Sequence, residues 1–127
     1  MVNQTKKEWL LGFIAYHSGK KIKHLEEKEG VIVGFLDEFN QPFFVYSEDL
    51  KNAAPYLSKT KYIITDYTMK NVKEIETYWS LLSDNEQTIL CLADYDNDKY
   101  ALLKPHLHSM IVQKDNLRKS IHSLMAY

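Results

Sequence analysis

The sequence predicts an α/β fold, a single domain over residues 1–127 in which one mixed β-sheet of five or six strands carries helices on both faces. Three observations predict it. Residues 62–68 (Tyr-Ile-Ile-Thr-Asp-Tyr-Thr) form a β-branched and aromatic run without Gly or Pro, the composition of a partly buried strand. Val72, Ile75, Tyr78, Trp79 and Leu82 then recur at spacings of three and four, the stripe of an amphipathic helix. Residues 88–93 are a continuous apolar run, as in a strand covered on both faces. Strand, helix and strand at these lengths make a βαβ crossover, so the two strands are expected to be parallel.

The remaining elements follow in order. Thr5 and Glu8 have capping-box spacing, and Trp9, Leu10, Phe13, Ile14 and His17 share one helical face before Gly19 offers a stop, which predicts a helix over 6–18. Residues 20–29 are dense in charge, with Lys20, Lys21 and Lys23 followed by Glu26, Glu27 and Glu29, and read as a solvated connector. Residues 31–36 and 42–46 are two apolar strands joined by 37–41, a first hairpin, with Pro42 at a strand start or on an edge because it donates no ladder hydrogen bond. Ser47, Glu48 and Asp49 suit a helix start, and Pro55 interrupts that short helix about two turns on, with a bend or a break expected near Ala54.

Asn71 and Glu74 form a capping box for the crossover helix. The short polar turn Asp94-Tyr95-Asp96-Asn97-Asp98 leads into a strand over 100–103, a second hairpin. Residues 110–112 are a candidate sixth strand, and Asp115 caps a final helix with Leu117, Ile121, Leu124 and Met125 on its apolar stripe.

Composition narrows the function. With 16 basic and 17 acidic residues the net charge is −1, which gives no overall electrostatic case for nucleic acid or an anionic membrane surface. Hydrophobic residues at 45% and only 4 Gly and 3 Pro argue for a packed core rather than disorder. The lone Cys91 lies inside the apolar 88–93 run and reads as a buried core thiol in a reducing compartment. No run has membrane-spanning length, and the basic start before residues 9–16 lacks a cleavage pattern, so the expected location is the cytoplasm.

Four sets of residues carry candidate chemistry. Asp66, Thr68 and Lys70 alternate along a strand end, where an acid and a lysine can hold a divalent metal beside a water, as in restriction-type nucleases. Thr68 stands where such enzymes place a carboxylate, and Asp37 or Glu38 would have to supply another, so a nuclease with Asp66 and Lys70 as catalytic residues is the alternative and not the leading reading. Asp94, Asp96 and Asp98 resemble the start of a calcium loop, but Lys99 replaces its glycine and Pro105 its glutamate, which leaves a polar turn. His106 and His108 make two ligands at most, and His17 and His122 read as structural, so no metal and no cofactor is assigned. Phe43, Phe44 and Tyr46 with Lys20, Lys21 and Lys23 would serve a nucleic-acid-binding module only if the aromatics were exposed on the sheet.

Nine Tyr, with Tyr46, Tyr67, Tyr95, Tyr100 and Tyr127 beside polar residues, supply amphipathic contact area of the kind found at protein interfaces. The leading expectation is therefore a non-enzymatic protein-binding module, such as a small inhibitor, immunity-type or regulatory protein. Its expected binding residues are Tyr95 with Asp94, Asp96 and Asp98, its expected partner a protein with a basic surface, and a second copy of the chain is the other candidate partner.

Overall fold

The computed structural model describes residues 4–36, 41–107 and 119. Six strands, β1 (His24–Lys28), β2 (Val31–Phe35), β3 (Phe44–Ser47), β4 (Tyr62–Asp66), β5 (Ile89–Asp94) and β6 (Lys99–Leu103), form one sheet in sequential order. The central β3, β4 and β5 are parallel, while β1, β2 and β6 join through antiparallel pairs. The mixed sheet, the crossover and both expected hairpins are present.

Helices cover both faces because the central strands are apolar on both. Leu10, Phe13 and Ile14 of α1 (Gln4–Ser18) pack on Ile32, Phe44, Tyr46, Tyr62, Ile64, Cys91 and Ala93. The opposite face, with Val33, Val45, Ile63, Leu90, Leu92 and Leu103, is covered by the 3-10 helix Leu50–Tyr56, α2 (Met69–Thr77) and α3 (Trp79–Asp84). Successive residues such as Ile63 and Ile64 serve opposite cores, the period of two that a strand imposes. Each large side chain fully buried this way stabilises by about 1.5–3 kcal/mol. Gly34 lies under the Phe44 ring, where a Cβ would come within 2.1 Å of Cε1.

Several expectations are corrected. Residues 24–28 are not connector but the edge strand β1, joined to β2 by a two-residue turn in which Glu29 (φ 53°) and Gly30 (φ 80°) are both left-handed, the geometry whose twist suits a hairpin. All five β1 residues are exposed, so the strand has charge where sequence patterning looks for apolar alternation. Thr5 lies inside α1 rather than at its cap, and Ser47 is the last residue of β3. The helix expected after Ser47 is a 3-10 helix that contains Pro55, its cap position is Asp49, and Asp49 makes no side-chain cap bond.

The crossover helix is capped by Thr68, whose hydroxyl accepts from Asn71 N, and not by Asn71. It also breaks at Tyr78 (φ −96°, ψ 9°) into α2 and α3, while Val72, Ile75, Trp79 and Leu82 stay buried across the break. Gly19 ends α1 as expected, with φ 70° and its N–H on Ala15 O at 3.0 Å. The expected 110–112 strand, the final helix from Asp115, and Asp37, Glu38, His108, His122 and Tyr127 lie outside the described residues. Among the described residues no helix is long and apolar enough to cross a membrane.

Candidate functional site

Parallel β3, β4 and β5 end side by side, since Ser47 is in register with Thr65 and Asp66 with Ala93. Open α/β sheets receive ligands at the carboxyl ends of strands where the strand order reverses; this sheet runs in sequential order without such a reversal, so its carboxyl end stands out by its side chains alone. Here the chain leaves the sheet as Glu48-Asp49, Tyr67-Thr68 and Tyr95-Asp96, so the end is acidic and tyrosine-rich.

Lys6 reaches into this end from α1. Its side chain is 8% exposed, and its Nζ lies 3.3 Å from Asp66 Oδ2 and 3.6 Å from Glu48 Oε1. The same ammonium sits 4.5 Å from the Tyr95 ring centroid and 5.4 Å from that of Tyr46, within cation–π range of both. The Tyr46 hydroxyl donates to Asp66 Oδ1 at 2.6 Å. Burial first, and then the bond and charge of Asp66, push the Tyr46 phenol well above its ordinary value of 10.0. Asp66 thus holds a phenol on one oxygen and a cation on the other.

Buried Asn71 fixes the loops around this cluster. Its Oδ1 accepts from Leu50 N at 2.9 Å, and its Nδ2 donates to Glu48 O at 2.6 Å and Asp66 O at 2.8 Å, which ties α2 to the exits of β3 and β4. Glu74, the expected capping partner, accepts instead from Lys51 N at 2.9 Å.

The expected binding turn stands at this same end. Tyr95 is half-buried over Lys6, and Asp94 accepts from Asn97 Nδ2 at 2.9 Å. Asp98 adopts a left-handed conformation (φ 52°) and accepts from Trp9 Nε1 at 2.9 Å, while Asp96 is exposed. The turn is thereby pinned to α1 through Tyr95 and Asp98, and exposed Asp96 lies between these two anchors in the chain.

The other candidates are placed differently. Lys70 Nζ lies 3.2 Å from Asp49 Oδ2, and the lysine beside Asp66 is Lys6. Among the described residues no three His, Cys, Asp or Glu side chains are grouped to hold a metal ion. His106 Nδ1 is 3.0 Å from Ser83 O, and His17 Nε2 shares a 2.7 Å hydrogen bond with the Tyr100 hydroxyl. Phe44 and Tyr46 are buried beneath α1 and form no stacking platform; Phe43 packs against the Tyr62 ring at 5.4 Å. Cys91 is fully buried, and its thiol is pushed up by that burial.

Sequence reasoning missed Lys6, Glu48 and Trp9 as members of this end. A signal for Lys6 existed: it lies four residues before Leu10 and seven before Phe13, on the buried stripe of its own helix. No protein-family model matches the chain, and comparison with curated proteins and with solved structures finds no match.

Proposed function

We propose that this chain is a non-enzymatic protein-binding module of the inhibitor, immunity or regulatory kind, which presents the acidic end of its sheet to a basic surface on a partner protein. The observation that carries the reading is the gathering of Glu48, Asp49, Asp66, Asp94, Asp96 and Asp98 around the exits of β3, β4 and β5, where these carboxylates outnumber the nearby lysines Lys6, Lys70 and Lys99, the last in register with Asp94. Such an end attracts a positive partner at long range and fixes its orientation at contact. Tyr95, propped on Lys6 beside exposed Asp96, supplies a rigid aromatic of the type that anchors interfaces. The buried, unbridged Cys91 supports a reducing cytoplasm as the compartment.

The test is capture from the native source with the tagged full chain and with the Tyr95→Ala/Asp96→Asn double variant. Wild type is expected to retain one protein in stoichiometric amount and the double variant to retain much less of it. Equal retention by both would remove the binding role from this end of the molecule.

A further inference from the structure

Resting on that binding reading, we infer that the groove between α1 and the β5–β6 hairpin receives the guanidinium of an arginine side chain on the partner. The groove has a volume of about 360 Å³ and borders the acidic turn through Asp98. Its walls are aromatic and held in place. Trp9 stacks on Phe13 with ring centroids 5.6 Å apart and planes 4° from parallel, and the Tyr100 ring stands edge-on to Trp9 at 6.3 Å. Tyr16 is 81% exposed at the mouth. The rim carries two exposed carboxylates, Glu8 and Asp98, and among the described residues no lysine or arginine lines it.

Gly12 is an independent pointer. It lies mid-helix and exposed, and a Cβ built there meets no atom within 4 Å, so packing within the described residues gives no reason for the missing side chain. What the missing side chain does is keep the groove open to close approach. Flat aromatic faces beside carboxylates select a planar cation: guanidinium stacks on the rings and offers paired N–H donors to a carboxylate. A neutral aliphatic side chain would desolvate Glu8 and Asp98 without answering their charge.

The Trp9 indole N–H, bonded to Asp98, reports on the groove directly, and Trp79 in the opposite core serves as the control. In ¹H–¹⁵N spectra of the full chain, acetyl-arginine amide is expected to move the Trp9 indole signal saturably and to leave Trp79 in place. Acetyl-norleucine amide should have little effect. Gly12→Leu fills the groove without touching the core, and Glu8→Gln/Asp98→Asn removes the rim charge while Asn keeps an acceptor for Trp9; each is expected to weaken the arginine response by about fivefold or more. Equal responses to arginine and norleucine amides, or a Gly12→Leu variant that binds arginine amide like wild type, would overturn the groove. In that event, loss of partner capture in Tyr95→Ala/Asp96→Asn would still leave the acidic-end reading standing, whereas a successful arginine titration with unchanged capture would sink that reading and keep the groove.

Discussion

Lys6 and Asp66 show how much one residue pair can be asked to do in the interior of a small sheet. A buried ammonium is tolerated here because Asp66, Glu48 and two tyrosine rings surround it, so removing the nearest carboxylate leaves a poorly answered charge. Asp66→Ala is expected to cost about 3 kcal/mol, at the low end for a broken buried pair because Glu48 remains nearby; urea unfolding measures it. Tyr46 makes a second prediction. It is held protonated by burial and by Asp66, as Tyr62 and Cys91 are by burial, so the unfolded chain loses these protons first as pH rises. Stability is therefore intact below the ordinary values of 9.0 for Cys and 10.0 for Tyr and falls as pH climbs through them. Above pH 10 that fall should be shallower in Tyr46→Phe, by at most about 1.4 kcal/mol per pH unit. Single residues were the least legible scale in the sequence: Asp66 stood out as an acid on a strand, but its partner is Lys6, 60 positions away, and no local pattern joins them.

At the scale of elements, Asn71 is the joint between a helix and two strand exits. Asn71→Ala would strand Leu50 N–H and the carbonyls of Glu48 and Asp66, with an expected cost of about 2–4 kcal/mol that denaturant unfolding will read. Gly12 predicts the opposite sign. Because its missing Cβ would meet nothing, Gly12→Ala should stabilise α1 and raise unfolding free energy by about 0.5–1 kcal/mol. Elements with a strong period were legible in the sequence itself: the Val72, Ile75, Trp79 and Leu82 stripe, the 88–93 strand and the 94–98 turn all stand where periodicity and turn chemistry put them. β1 was not, because an exposed edge strand has no buried face to write an apolar alternation, and its only local cue was Gly30. Asn71 misled for a related reason, since Thr68 satisfies the helix start and frees the Asn71 amide for tertiary bonds.

For the whole molecule, the sequential strand order carries the functional argument. Parallel β3, β4 and β5 must all deliver their carboxyl ends to one side, which gathers acids that are far apart in the chain. Overall charge of −1 conceals this polarity, because composition counts charges without placing them. The most direct test is the affinity of the captured partner as a function of salt, by calorimetry at about 50 and 300 mM NaCl, where screening lengths differ more than twofold. Wild-type affinity is expected to weaken by about tenfold or more, and that of Asp96→Asn by clearly less. An affinity that ignores both salt and Asp96 would contradict a contact made through the acidic end.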